Sequence, residues 1–387
     1  MTLRIPGGPT GPGTAGLRIA GLRERERERE SEQEEVEQEE AEQEHGAERG
    51  GVPDGEQPVR PIPGIRHRPA VQPDPALVAE VDRRTEQWAK ELDLVPPEWE
   101  DQFAGFGFGR AVCLGHPDHA DVERLLVAAR LLVAENLVDD CYCEDHGGSP
   151  EGLGARLLIA HSALDPLHSA PEYEASWRAG TTEDAPLRSY RSAMEHALPW
   201  AAPAQADRLR HDLGRLHLGY LGEAAWSLDG ATPAVWEYLV MRQFNNFRPC
   251  LTLTDLVAGY ELPAPLQALA PVQRLTALAG NAATLVNDLY SYTKELRAQH
   301  PHLNLPTVLA RRDQLPERDA YLRAVEVHNT IMDAFESESA QLRTSVPDPV
   351  LARYLTGLHS WVAGNHEWHA TNTYRYTLPD YWPQESA

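Results

Sequence analysis

The feature that most restricts the fold is the spacing of apolar residues after about residue 75. They recur three and four positions apart through the segments 75–94, 119–143, 185–201, 203–228, 232–258, 270–299, 317–345 and 347–376. No sustained period-two alternation bounded by turn signals appears. A three-to-four spacing marks helices with one buried stripe, and period two marks half-buried strands. Segments of roughly 20–30 residues, separated by short breaks such as Asp229 to Pro233 and Leu262 to Pro265, predict antiparallel helices around a common centre. The expected fold is all-α. No internal repeat of fixed period is present.

The first 70 residues are different. Arg23, Arg25, Arg27 and Arg29 alternate with Glu24, Glu26, Glu28 and Glu30, and a Glu/Gln run continues to Glu44 with almost no large apolar residue. Such a stretch buries too little surface to offset chain entropy and is expected to be disordered, with a single charged helix as the alternative. Prolines 53, 58, 61, 63, 69, 73 and 75 then predict an extended lead into a first helix at about Asp74. The organisation read from this is a charged, then Pro-rich extension over 1–72 and one helical domain over 73–387.

Hydrophobic residues make up 42% of the 387, enough for the domain to bury a sizeable core. Residues 1–70 hold 15 Asp/Glu against 10 Arg, which leaves −19 of the total charge of −24 on the rest. A body this acidic repels nucleic acid and anionic membrane surfaces, so neither is expected as a partner; divalent cations suit it better. Cys113, Cys141, Cys143 and Cys250 have no zinc-like or redox-like spacing and are expected to be reduced. With no signal-type apolar stretch at the N-terminus and no 18-residue apolar run, no stable membrane insertion is expected, and the protein reads as cytoplasmic.

Three constellations carry chemistry. Asp139 and Asp140, with Glu144, close an otherwise largely apolar helix; Asp140 and Glu144 are four apart and share a face, beside Asp139. Clustered hard oxygens suit magnesium, although an acidic helix end is also an ordinary solvated terminus. Asn287, Ser291 and Glu295 fall at i, i+4 and i+8, aligning an amide oxygen, a hydroxyl and a carboxylate that can chelate one ion. A polar stripe facing solvent is the plain alternative. Arg242, Arg248, Arg375 and Tyr376 form the third set, either surface ion-pair partners or donors for a diphosphate.

Taken together, Asp-Asp-x-x-x-Glu at 139–144, Asn-Asp-x-x-Ser-x-x-x-Glu at 287–295 and the terminal Arg375-Tyr376 pair resemble the motifs of bacterial class I terpene synthases, over about residues 70 to 385. The runs DDCYCEDHGGSPEGLG, MRQFNNFRPC, NDLYSYTKE and HLNLP are similar to the branch of that family that cyclises 2-methylgeranyl diphosphate. The resemblance implies a class I terpene synthase helical bundle with a central active-site cavity, preceded by a disordered extension. It implies Mg²⁺, three ions in all, with Asp139 bridging, Asp140 and Glu144 supporting it or binding neighbours, and Asn287, Ser291 and Glu295 holding the third ion. Arg242 would sense diphosphate, Lys294 and Arg375 would bind it, and Tyr376 would donate a hydrogen bond to it. Asn245 and Asn246 would be the linker and effector of a helix break that feels ionisation. Trp368 stands one residue farther from Arg375 than is usual in the family, and Asn245 replaces a common Asp, which weakens its expected pairing with Arg242.

The implied reaction is ionisation, rotation through a tertiary diphosphate, two ring closures and capture of the cation by water, in a dry cavity where aromatic faces stabilise the charge. Phe244, Phe247, Tyr290 and Trp361 are the aromatic candidates. The substrate partner is an isoprenoid diphosphate, and a homodimer is an assembly left open. Geranyl or farnesyl diphosphate would be the alternative substrate. His211-Asp212 suggests an HD-type phosphohydrolase, which leaves the 287–295 column unexplained. A helical interaction protein with a charged arm would make the motifs coincidental, and a chain-elongating prenyltransferase would show a second aspartate-rich motif.

Overall fold

The computed structural model describes residues 62–95, 97, 100–143, 150–297 and 303–382. The expected disorder of residues 1–61, and Glu144, lie outside them. Among the described residues the regular elements are helices: α1 (Pro75–Glu91), α2 (Glu100–Phe106), α3 (Phe108–Gly115), α4 (Val122–Tyr142), α5 (Leu153–Ser162), α6 (Pro171–Glu183), α7 (Ala185–Ala197), α8 (Pro203–Leu228), α9 (Val235–Phe244), α10 (Arg248–Leu251), α11 (Thr254–Val257), α12 (Ala264–Gln267), α13 (Ala270–Arg297), α14 (Leu305–Arg312), α15 (Glu317–Ser345) and α16 (Pro349–Thr371). None of them is long and apolar enough to cross a membrane.

Helix starts are written in side chains. Asp74 accepts from the Ala76 amide at 2.9 Å, Asp121 from Glu123 at 3.0 Å, and Asp348 from Val350 and Leu351 at 2.9 Å each. Each cap satisfies a terminal N–H that the helix leaves over, worth about 1 kcal/mol. Pro75, Pro203 and Pro349 occupy first-turn positions, where proline's missing N–H is not needed.

The long segment expected over 232–258 is three helices. Asn245, at φ −77° and ψ 85°, leaves helical geometry, and Pro249 has no N–H to bond the Asn245 carbonyl as a continuous helix would require. Helices α2, α3, α5, α12 and α14 lie outside the expected segments because pieces this short carry too little periodicity, and α6 does so because it has almost no buried stripe, with Thr181 its one buried residue.

Helix α4 is buried around its circumference from Leu125 to Val138, the pattern of a helix surrounded by protein. It packs on α7; α13 packs on α15 and α16; α3 packs on α1 and α16. The α3–α16 crossing brings backbones together: a Cβ on Gly364 would stand 2.4 Å from the Leu114 carbonyl, so only glycine fits. Residues 62–74 pack on the body too. Ile62 and Ile65 are buried beside Tyr238, Leu289 and Tyr321, while Arg66 pairs with Asp333 and Arg68 with Glu336.

Candidate active site

A cavity of about 1290 Å³, counting its open mouth, is enclosed by α3, α4, α8, the α9–α10 break, α13 and α16. Asp139 reaches its wall near the C-terminal end of α4, and Asn287, Ser291, Lys294 and Glu295 reach it from the C-terminal half of α13. Arg242, Asn245, Asn246, Arg375 and Tyr376 complete the set on the same cavity. Residues more than two hundred positions apart in sequence therefore face one space.

The α13 column is held in order by its neighbours. His369 is fully buried, and burial depresses its pKa to about 3, so the ring is neutral. Its Nδ1 lies 2.8 Å from the Asn365 carbonyl, which can only accept, so Nδ1 carries the proton and Nε2 the lone pair. Nε2, 3.3 Å from Asn287 Nδ2, then accepts from that amide and turns Asn287 Oδ1 the other way, where Arg242 donates to it at 3.3 Å. Ser291 Oγ donates to the Asn287 carbonyl at 2.7 Å, and Glu295 accepts from Asn304 Nδ2 at 2.6 Å.

Arg242 does not pair with the linker position. It donates to Asp288 Oδ1 at 2.6 Å, and Asp288 Oδ2 accepts from the Tyr238 hydroxyl at 2.8 Å and the Leu305 amide at 2.9 Å. Burial alone would lower the Arg242 pKa, but Asp288, Tyr238, Glu223 and Glu295 together outweigh it and leave the guanidinium above its ordinary value. Asn245 instead donates to Glu223 at 3.0 Å, and Asn246 accepts from the Arg248 amide at 2.9 Å. The break lies hard against α8: a Cβ on Gly219 would fall 2.3 Å from Asn245 N and 2.6 Å from Asn245 Cβ.

At the other side of the cavity the C-terminal segment is pinned to Phe106. Its carbonyl accepts from Trp368 Nε1 at 2.9 Å and Asn372 Nδ2 at 3.1 Å, and its ring lies 4.3 Å beneath the Arg375 guanidinium. Trp368 thus positions the segment that carries Arg375. Burial raises the Tyr376 pKa, so its hydroxyl keeps its proton and remains a donor.

Some expected residues stand elsewhere. Asp140 is buried behind Asp139, off the cavity wall, with Oδ1 4.0 Å from an Arg375 nitrogen. Arg248 is a core cation, bound to Asp212 at 2.7 Å and Gln273 at 2.9 Å. That pairing occupies the Asp of His211-Asp212, and His211 is exposed, so the phosphohydrolase alternative lacks its metal-binding pair. Of the aromatic candidates, Phe247 and Trp361 line the cavity; Phe244 lies against Arg215 and Tyr290 against His366. Phe108, Tyr220 and Trp368 line it as well.

Four residues of consequence escape sequence reasoning: Asp288, Glu223, His369 and Glu135. Glu135 lines the cavity one helical turn before Asp139, 6% exposed, and burial pushes its carboxyl up to about 8, opposed by a hydrogen bond from Cys250 Sγ to Oε2 at 3.3 Å. Its signal was available as the lone charge inside the apolar run Leu131 to Val138.

The donors at the mouth, a carboxylate on one wall and an amide oxygen, a hydroxyl and a carboxylate on the other, are hard oxygens that fit a divalent cation such as Mg²⁺. Residues 130–334 match the model of terpene synthase family 2, C-terminal metal binding. The 2-methylisoborneol synthase of Streptomyces ambofaciens is 54% identical over 382 residues, covering 98% of this chain and 82% of that protein. The enzyme of the same name from Streptomyces griseus is 56% identical over 98% of this chain and 81% of its own length. The crystal structure of 2-methylisoborneol synthase from Streptomyces coelicolor A3(2), in complex with Mg²⁺ and 2-fluoroneryl diphosphate, superposes with a TM-score of 0.82 at 59% identity, over 84% of this chain and all of that one. A family model spanning more than half the chain, and relatives this similar over nearly its whole length, place the cavity and its oxygen donors in one lineage: the chain belongs to the terpene synthase family.

Proposed function

We propose that the chain cyclises 2-methylgeranyl diphosphate, with Mg²⁺, to 2-methylisoborneol and diphosphate. The observation that carries this reading is the cavity itself. Oxygen donors and cationic side chains gather at its mouth, above a wall of Val112, Leu132, Leu216, Phe247 and Trp361, as a substrate with an anionic head and a hydrocarbon tail requires. The names of the Streptomyces relatives support the choice of product.

Asp139 from α4, with Glu144, and Asn287, Ser291 and Glu295 from α13 would hold the magnesium, three ions in all. When bound, the metal neutralises charge developing on the leaving diphosphate. Arg242, Lys294 and Arg375 supply charged N–H donors to the same group, and Tyr376 supplies a neutral one. Asp288 and Phe106 fix the two guanidiniums before substrate arrives, so little reorganisation is needed when the carbon–oxygen bond breaks. The cation then sits among the faces of Phe108, Phe247 and Trp361, each worth about 2 kcal/mol when water is excluded. Ring closure through a terpinyl-type and then a bornyl-type cation, followed by water capture, gives the alcohol.

The test is incubation with Mg²⁺ and geranyl, 2-methylgeranyl and farnesyl diphosphates separately, with volatiles identified by mass spectrometry. The expected outcome is a preference for 2-methylgeranyl diphosphate and release of the alcohol. A preference for farnesyl diphosphate would sink the product assignment, and consumption of none of the three would sink the cyclase reading.

A further inference from the structure

Away from the metal-binding residues the cavity wall is apolar except for a few groups, and some of those are satisfied within the protein. Asn136 Nδ2 donates to the Leu132 carbonyl at 2.8 Å and Asn365 Nδ2 to the Ala283 carbonyl at 3.0 Å. Two buried oxygens on that wall have no hydrogen-bond partner among the described residues: Glu135 Oε1 and Thr284 Oγ1. They differ in kind. A helical threonine can turn its hydroxyl to the carbonyl one turn back, as Thr276 does to Val272 at 2.9 Å. The Glu135 carboxyl has no such escape, since its other oxygen is already taken by Cys250.

Glu135 is also at the right depth. It precedes Asp139 by four residues on α4, so it sits ~6 Å from it along the helix, and it is buried where Asp139 is half-buried. That places it beside the hydrocarbon part of a substrate whose diphosphate is held at the mouth.

We propose that Glu135 seats the water that captures the bicyclic cation, making it the residue that decides between alcohol and hydrocarbon products. The inference rests on the cyclase reading given above. Cys250 holds Oε2 beside the cavity that Glu135 lines, and the buried, unpartnered Oε1 is the group that hydrogen-bonds the water on a small turn of the carboxyl, leaving one oxygen lone pair of the water for the cationic carbon. That lone pair forms the new carbon–oxygen bond. The oxonium so made loses one O–H proton to the diphosphate released earlier in the same turnover, whose oxygens are the available base. A carboxyl held neutral by its apolar surroundings suits this position, because an ionised one would itself add to the cation. Glu135 acts through the water and is a positioning residue.

The test is the product partition from 2-methylgeranyl diphosphate, read as the ratio of alcohol to hydrocarbon so that changes in total turnover cancel. Glu135→Met should lower the alcohol share at least about fivefold, as expected when one hydrogen bond to the captured water is lost. Glu135→Gln keeps a donor and an acceptor there and should retain most of it. If the Met variant is recovered only as aggregate, Cys250→Ala carries the test: it frees the carboxyl to rotate and should also lower the share. A wild-type ratio in Glu135→Met or, failing its recovery, in Cys250→Ala would overturn the proposal, as would a fall seen in Thr284→Val and not at Glu135. A wild-type protein that yields only hydrocarbons, or accepts only other diphosphates, would instead remove the reading on which the proposal depends, and the proposal with it.

Discussion

Replacing Asp288 by asparagine keeps the volume and removes one charge from the centre of the anchor that holds Arg242. The carboxylate is 2% exposed and serves three donors: Arg242 Nη2, the Tyr238 hydroxyl and the Leu305 amide. An asparagine has one acceptor oxygen. If it faces Arg242, its NH₂ meets the Leu305 N–H; if it faces Leu305, the NH₂ meets the guanidinium. Either arrangement leaves donors opposed in a buried place, and the guanidinium loses its counter-charge. Breaking a buried ion pair from one side costs about 3–5 kcal/mol, and solvent screening at this depth discounts little of it. Urea unfolding followed by far-ultraviolet circular dichroism should show a loss in that range. Because Arg242 also contacts Asn287 Oδ1, its displacement should lower kcat by about a hundredfold, the usual effect of an ångström-scale misplacement. Tyr238→Phe is the control: it removes one bond to the carboxylate, about 1.5–3 kcal/mol, together with a longer one to the Leu303 carbonyl, and leaves the Arg242–Asp288 bond in place. An Asp288→Asn protein within about 0.5 kcal/mol of wild type and with undiminished kcat would refute the anchoring argument.

Two further outcomes are expected. Gly219→Ala pushes a methyl group into the Asn245 backbone, so the α9–α10 break must shift; overpacking of this kind costs about 1–3 kcal/mol, and kcat measured beside thermal stability should fall further than the stability loss explains. The Glu135 carboxyl has a folded pKa of about 8 against an ordinary value of 4.5, so its contribution to stability is intact below 4.5 and is lost as pH rises through 8, at about 1.4 kcal/mol per pH unit between them; Glu135→Gln should flatten that part of the stability–pH curve, and parallel curves for the two proteins would count against it.

What the sequence makes legible is what a single helix can display. Asp139 at the end of an apolar helix, and Asn287, Ser291 and Glu295 at four-residue steps, are visible because helical period alone puts them together. Asp288, Glu223 and His369 are not, since each matters only through a partner on another element: Arg242, Asn245 and Asn287. The Pro-rich run before residue 73 reads as a linker because it has no period, yet two isoleucines in it are core residues. Periodicity reports elements with a repeating face and is blind to irregular chain that buries one or two side chains.

That irregular stretch sets how short a working protein can be made. Ile62 and Ile65 belong to the same buried cluster as Tyr238, whose hydroxyl bonds the Asp288 carboxylate that steadies Arg242. A shortened gene or a protease that stops before residue 60 leaves this stack whole. One that cuts at residue 73, where the periodic pattern begins, removes two side chains from the core cluster that holds Tyr238, so a trimmed enzyme would lose catalytic competence from a part of the chain outside the cavity wall.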